Sequence, residues 1–266
     1  MTHPSVSIVV PVLNEAATIT GALARLRRDF PDCELVVVDG GSTDGTAELA
    51  APLATVVRGE RGRARQMNEG ARRTTGEVLW FVHADTVLEP AALAQLRTCL
   101  TGDPDAVGGG LALRFDRRGP GLDYLAWASN QRARRLHHIF GDQTMFVRRK
   151  VFDELGGFPD LALMEDLELS RRLHRRGRLH LLPATSTASA RRLTAHGVWR
   201  MIAFMQYLKL LYFAGVDPER IARRYAAGPP RLPLGRLSFG RLSLAGRGRP
   251  ARRSRKGAAA RRVTGP

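Results

Sequence analysis

The apolar positions of the first hundred residues fall into short runs separated by helical stripes. Val6-Ser7-Ile8-Val9-Val10 is a β-branched run closed by Pro11, and Leu35-Val36-Val37-Val38 is a second, ended by Asp39-Gly40-Gly41. Ala54 to Val57 predicts a third strand, and Val78-Leu79-Trp80-Phe81-Val82 a fourth, broken by His83-Ala84-Asp85. Between them, Ala16 to Arg28 carries Ile19, Leu23 and Leu26 on one stripe, and a short helix follows Thr46. Arg63 to Thr74 predicts a helix that packs through Met67, Gly70, Ala71 and Thr74. Runs that are apolar throughout, rather than at alternate positions, are buried on both faces, as in a parallel sheet covered by helices. The fold class is therefore α/β, with a mostly parallel, doubly wound sheet.

The second half is less regular. Val107 to Phe115 reads as a strand entered through three glycines, Leu122 to His138 as an Arg-rich helix, and Met145 to Val147 as a short strand. Lys150 to Leu155 is a short helix stopped by Gly156-Gly157, and Glu165 to Arg176 a helix with Gly177 just past its end. Ala195 to Phe213 reads as the last substantial helix. Beyond Ala227, Pro, Gly, Arg and Ser dominate and the periodicity stops. The expected organisation is one domain over residues 1–227 and a disordered basic tail over 228–266.

Charge changes this picture only at its end. The 266 residues carry a formal +17, but residues 228–266 hold eleven Lys or Arg and no acid, leaving +6 for the rest. Cys33 and Cys99 make no disulfide framework or zinc spacing, which favours a reducing compartment. The N-terminus shows no signal-peptide pattern, and no apolar run reaches the ~20 residues of a spanning helix. The expected location is cytoplasmic, with peripheral attachment at the inner face of the cell membrane open to the tail.

In an open parallel sheet, ligands bind beyond the carboxyl ends of the strands. Asn14 and Glu15 follow the first strand, Asp39 the second, and His83 and Asp85 the fourth. Acids gathered at one sheet edge repel unless a cation joins them, and a divalent ion carrying a diphosphate would do so. Each also has a plainer reading: Asp39 and Asp44 as turn formers, and Asp85 as the cap of a helix starting near Pro90. Neither a P-loop lysine nor a GxGxxG fingerprint is present.

The segments Val9-Val10-Pro11-Val12-Leu13-Asn14-Glu15 and Val38-Asp39-Gly40-Gly41-Ser42-Thr43-Asp44-Gly45-Thr46 resemble the opening of inverting family 2 glycosyltransferases with the GT-A fold. The resemblance continues through Gly62 to Ala71, Gly76-Glu77, Phe81 to Thr86, Gly156-Gly157-Phe158 and Met164-Glu165-Asp166, covering about Val6 to Tyr225. Gly-Arg-Ala-Arg-Gln-Met-Asn, His-Ala-Asp-Thr, Gly141-Asp142-Gln143 and Met-Glu-Asp are similar to the subgroup labelled rSAM/selenodomain-associated transferase 2.

The resemblance implies a nucleotide-sugar donor, UDP-linked by expectation, and Mn2+ or Mg2+ as cofactor. It makes Pro11, Asn14, Glu15, Asp39, Arg63, His83 and Asp85 donor-binding residues, with Asp39 at the base and Arg63 at the nucleotide. His83-Ala84-Asp85 stands where the family has Asp-x-Asp, so Asp85 inherits the metal and His83 departs from the pattern. His83 can bind a ribose hydroxyl, ligate metal as neutral imidazole, or simply pack.

Asp166 matches the catalytic base, and helical periodicity puts it on the stripe of Leu169 and Leu173, in the first turn. An N-terminal cap is its plainer role. Asp142, Gln143, Glu165, Arg191 and Arg192 are assigned to the acceptor or the diphosphate. The family's Gln-x-x-Arg-Trp is absent, and Ser189-Ala190-Arg191-Arg192 occupies that region.

The expected acceptor is a lipid, carotenoid-like or other small molecule; the Ala195–Phe213 helix closes the acceptor site, lies in a membrane interface beside the basic tail, or simply packs in the core. An anionic membrane surface is a further partner open to the tail. Two other readings rank behind: a nucleic-acid-binding protein on an inactive α/β domain, drawn from the charge alone, and a nucleotidyltransferase, which lacks its glycine-rich start here.

Overall fold

A computed structural model describes residues 3–230. In chain order, the first half contains β1 (Val6–Val12), α1 (Ile19–Asp29), β2 (Glu34–Asp39), α2 (Thr46–Ala50), β3 (Thr55–Arg58), α3 (Arg63–Arg72), β4 (Val78–Phe81), β5 (Val87–Leu88) and α4 (Ala92–Gly102). The second contains β6 (Ala106–Phe115), α5 (Pro120–Leu136), a 3-10 turn (Gly141–Gln143), β7 (Phe146–Arg148), α6 (Arg149–Glu154) and α7 (Glu165–His174). It closes with β8 (Arg178–Ala188), α8 (Arg191–His196), α9 (Val198–Phe213) and α10 (Pro218–Ala227).

The strands form one sheet in the order β3-β2-β1-β4-β7-β6-β8-β5. β1 pairs in parallel with β2 and β4, and β2 with β3, as the unbroken apolar runs predict. Beyond β4 the sheet is mixed: β7 is antiparallel to both neighbours, β6 and β8 are parallel, and β5 is antiparallel to β8. The chain winds outward from β1 to β3 and then returns to lay β4 on the other side of β1. Such a reversal opens a crevice beyond the carboxyl ends of the two strands.

Both faces of the sheet are covered. Ile8, Val10, Val12, Trp80 and Val82 pack in one cluster with Ile19 and Leu23 of α1 and Leu96 of α4. Val9, Val36, Val38 and Phe81 point the other way, into a cluster with Ala64 and Met67 of α3 and Leu169 and Leu173 of α7. A Cβ at Gly70 would collide with Val9, so glycine lets α3 lie directly against β1. A third cluster joins Leu122 and Leu125 of α5 with Leu193, Met201, Phe204, Leu208 and Ile221 of the closing helices.

Three elements differ from expectation. The strand β8 was not predicted, because Pro183 and a run of Thr and Ser interrupt its pattern. Its register with β6 jumps from Leu111↔Leu182 to Ala112↔Thr185, which puts Pro183 in a bulge, where a missing N–H costs no ladder bond. The single helix expected over Ala195–Phe213 is two, α8 and α9, parted by Gly197 at φ +83°. Nor is it the last substantial helix. In α10, Pro218 takes the first position, and the Asp217 side chain accepts from Glu219 N at 3.1 Å, a capping signal passed over in the sequence. The basic tail lies outside the described residues from position 231 onward.

Candidate active site

The crevice is first shaped by two turns that brace each other. Asn14, left-handed at φ +56°, receives Thr43 N on its side-chain oxygen at 2.9 Å and donates its own N–H to Ser42 Oγ at 2.9 Å. Asp39 is 3% exposed, and its carboxylate accepts from Ser42 N at 3.1 Å and from the Ser42 hydroxyl. Asp44 likewise accepts from Ala16 N at 3.0 Å. Asp39, Asn14 and Asp44 therefore hold the turns in place, and none of them lines either of the two cavities above these turns. Gln66, buried on α3, donates to Val12 O at 2.7 Å and Val38 O at 2.8 Å, tying together the ends of β1 and β2.

Over these turns lies a cavity of about 470 Å³. Pro11 and Glu15 line it from the β1 end, and His83 and Asp85 from the β4 end. Arg61 and Arg63 close it at the start of α3, and Arg191 and Arg192 at the start of α8. Four arginines against two carboxylates make it a site for a polyanion such as a diphosphate. Arg192 is fixed there, stacked 3.9 Å over the Tyr225 ring and donating to Tyr225 O at 3.0 Å.

A second cavity of about 220 Å³ adjoins the first, and Arg63 and His83 line both. Asp142, Glu165 and Asp166 supply its acids, and Phe140, Leu163, Met164, Met205 and Leu208 its apolar wall. Lys209 of α9 and Tyr225 of α10 complete it. Met164 starts α7 in the left-handed region, at φ +72°. For a residue with a Cβ that conformation costs roughly 1–2 kcal/mol, and here it precedes the Glu165-Asp166 pair.

Asp166 Oδ2 accepts from Gly141 N at 2.8 Å and Oδ1 from Leu167 N at 2.7 Å. A Cβ on Gly141 would lie 2.9 Å from His83 Cε1 and 3.5 Å from Asp166 Oδ2, so a glycine is what lets these two side chains approach. That contact joins the metal-type motif after β4 to the acid of α7.

Electrostatics sharpen the division between the cavities. Burial and the neighbouring Arg63 charge push His83 down to about 3, so it is a neutral imidazole at pH 7. Glu165 is 2% exposed; burial and the Asp166 charge raise it to about 7 against the pull of Arg63, whose Nη1 lies 3.4 Å away. Burial also opposes the charge on Arg63, but Glu165 and Asp166 outweigh it and raise the guanidinium pKa. Asp142 is raised chiefly by burial, and its Oδ1 is buried without a partner. Burial lowers Lys209.

Of the residues expected at the site, Pro11, Glu15, His83, Asp85, Arg191 and Arg192 come together in the larger cavity, and Asp142, Glu165 and Asp166 in the smaller. Arg63 stands between them. Gln143 does not join: it is fully buried, its side-chain oxygen accepting from Arg132 Nη2 at 2.9 Å, so it supports the turn from beneath. Arg61, Gln66, Lys209 and Tyr225 were not anticipated. With Arg200, Lys209 is one of two cations in the otherwise apolar α9, and that was its signal in the sequence.

A doubly wound α/β fold with an arginine-rich cavity at its switch point defines the class. The chain belongs to glycosyl transferase family 2, whose model matches residues 7–156. It is 28% identical over 174 residues to the glycosyltransferase AglE of Haloferax volcanii, covering 60% of this chain and 57% of that one. It is 33% identical over 175 residues to a PGL/p-HBAD biosynthesis glycosyltransferase of Mycobacterium tuberculosis strain H37Ra, covering 59% and 64%. The chain thus matches about six-tenths of the length of these relatives.

Among solved structures, the mannosyltransferase PcManGT from Pyrobaculum calidifontis, in complex with GDP-Man and Mn2+, superimposes with a TM-score of 0.61 at 22% identity, over 82% of this chain and 66% of that one. TarS residues 1–349 of S. aureus, in complex with UDP-GlcNAc, gives 0.54 at 19% identity, over 70% and 58%. The fold is GT-A.

Proposed function

We propose that the chain is a glycosyltransferase that seats a nucleotide-sugar donor, UDP-linked, in the larger cavity and an acceptor hydroxyl in the smaller. The observation that carries this reading is the pair of residues, Arg63 and His83, shared by an arginine-rich cavity and a cavity holding Asp166. The reaction is a single displacement with inversion. The acceptor hydroxyl attacks the anomeric carbon and gives its proton to an Asp166 carboxylate oxygen, while the anomeric C–O bond to the diphosphate breaks. The two backbone N–H groups on Asp166 fix its direction. Arg63, Arg191 and Arg192 receive the charge of the departing diphosphate.

Asp85 and a neutral His83 fit a divalent cation, because Mg2+ or Mn2+ bound with a nucleotide uses one or two side chains plus phosphate oxygens and water. Among the described residues no group of three His, Cys, Asp or Glu could hold a metal ion by itself. Once bound, the cation would neutralise charge on the diphosphate. PcManGT, in complex with GDP-Man and Mn2+, supports this reading. Asp39 keeps its assignment to the base from the family resemblance alone, and the narrower subgroup rests only on its four short motifs.

The apolar wall of the smaller cavity favours an acceptor with a hydroxyl on a lipid or carotenoid-like body. Peripheral attachment to a membrane suits such an acceptor, and no helix among the described residues is long and apolar enough to cross one. The nucleic-acid reading depends on the basic tail, outside those residues.

Calorimetry with UDP, GDP and their sugar conjugates, with and without Mn2+, tests the reading on the full chain and on Asp85→Ala. Donor binding strengthened by Mn2+ in the parent and insensitive to it in the variant is the expected result. Equal affinity under all four conditions ends the metal assignment, and no nucleotide binding ends the reading as a whole.

A further inference from the structure

Of the nine large hydrophobic side chains exposed among the described residues, seven lie on α5 and α9: Tyr124, Trp127, Leu136, Trp199, Tyr207, Leu210 and Phe213. They are not scattered. At 100° per residue, Trp199, Gln206, Leu210 and Phe213 of α9 fall within about 60° of one another, along a stripe about 21 Å long. The opposite side of the helix is also apolar and is buried through Met201, Phe204 and Leu208. A helix apolar on both sides, with one side in water, leaves that side without a partner among the described residues.

The two helices meet where α9 begins. A Cβ on Gly121 would lie 2.8 Å from Val198 Cγ1, so glycine admits the contact, and it brings Trp199 to 5.5 Å from Tyr124, which lies 6.1 Å from Trp127. One continuous aromatic surface results. Its charge has one dominant sign. Exposed Arg117 and Arg118 precede α5, and exposed Arg134 and Arg135 continue the Tyr124–Trp127 face at its far end. Asp123 is the one acid of α5, paired with Arg118 at 3.1 Å, and α9 has none. Trp and Tyr with flanking Arg are the residues that settle at a lipid–water boundary, and the basic flanks select anionic headgroups.

We infer that this face is a membrane-docking surface, laying α5 and α9 in the interface of an anionic bilayer. It deepens the proposed transfer, and rests on that reading only where it supplies the acceptor. The same helix α9 lines the smaller cavity through Met205, Leu208 and Lys209, so a hydroxyl-bearing lipid would reach Asp166 along its edge.

Sedimentation of the full chain with phosphatidylcholine vesicles, with and without phosphatidylglycerol, tests the inference. The double variant Trp127→Ser/Trp199→Ser is measured beside the parent, and both positions are exposed enough for it to fold. Anionic vesicles should bind the parent, and the variant should bind about ten-fold more weakly or worse. Brominated lipid should quench the parent's emission, since Trp80 is fully buried and only Trp127 and Trp199 can respond.

Unchanged binding by the variant, or no quenching, overturns the inference and assigns any attachment to the basic tail. Equal binding to neutral and anionic vesicles also overturns it. So does a dimer of the parent, seen by gel filtration, that the variant dissolves, because the face would then belong to a second copy. UDP binding on the same samples separates any of these failures from a failure of the transfer reading.

Discussion

The larger cavity is walled by strand ends and by the turns that leave them, whereas the smaller is walled mainly by α7, α9 and α10. Their chemistry differs accordingly. Strand ends are fixed by ladder hydrogen bonds, and the cavity they shape carries arginines suited to a feature common to all nucleotide-sugars. Helices can present long side chains of any kind, and the cavity they shape combines apolar wall with buried acids and one lysine. On the proposed reading this is a division of labour: strand ends and the helix starts beside them hold what every donor shares, and α7, α9 and α10 hold what distinguishes an acceptor. His83, Arg63, the Gly141 contact and the Arg192–Tyr225 stack couple the two.

The sharpest break in that comparison comes from Asp166→Asn. The amide keeps the acceptor of the Gly141 bond but cannot take a proton, so kcat should fall about a thousand-fold, within the range for a lost general base. Nucleotide affinity by calorimetry should stay within about two-fold, since the donor cavity is untouched. Lost donor binding with retained turnover would reassign Asp166 to the larger cavity.

Arg63→Ala asks whether the cavities are coupled. It removes a guanidinium from the diphosphate and leaves Glu165 buried without its partner, so nucleotide affinity should weaken about thirty-fold, the scale of a lost charge-assisted contact. The apparent pKa of Glu165 should also move upward, and NMR titration would read it. A loss of affinity with no titration change would mean that Arg63 serves the donor alone.

The unequal legibility of the two halves has the same origin as their chemistry. Val6–Val12, Glu34–Asp39 and Val78–Phe81 are runs whose neighbours in sequence are also their neighbours in function, so Glu15 and Asp85 could be placed at one edge from pattern alone. The smaller cavity draws on Gly141, Asp166, Lys209 and Tyr225, which are brought together only by packing. Asp166 is legible through its motif, whereas Lys209, like Arg200, only interrupts an apolar stretch, which says nothing of the cavity it enters. Asp39 shows the opposite limit: the Asp-Gly-Gly-Ser turn was legible, but not that Ser42 would occupy its carboxylate. A side chain's partner three residues away is a matter of rotamer, which strand patterning does not determine.

Met205→Ala sharpens the acceptor side. Met205 is half-buried in the wall of the smaller cavity and packs against the apolar cluster of the closing helices. Removing its thioether should raise the acceptor KM about five-fold, the worth of roughly one lost apolar contact, with donor affinity and kcat unchanged. An equal effect on the donor would show the cavities to be one.

The smallest effect concerns pH, and it too separates the regions. Glu165 holds its proton more tightly folded than unfolded, its ordinary value of 4.5 raised to about 7 by burial and by Asp166 against the pull of Arg63. A raised value means that the associated stability is complete below pH 4.5 and is lost as pH rises through about 7. Glu165→Gln has no proton to lose, so its melting temperature should fall less between pH 5 and pH 8 than the parent's. The difference should be on the order of 1 kcal/mol, or about 3 °C for a chain of this size, because relaxation around Arg63 returns part of the penalty. His83, which the two cavities share, is already neutral throughout that window. Parallel melting curves for parent and variant would mean that the Arg63 pair fully compensates Glu165.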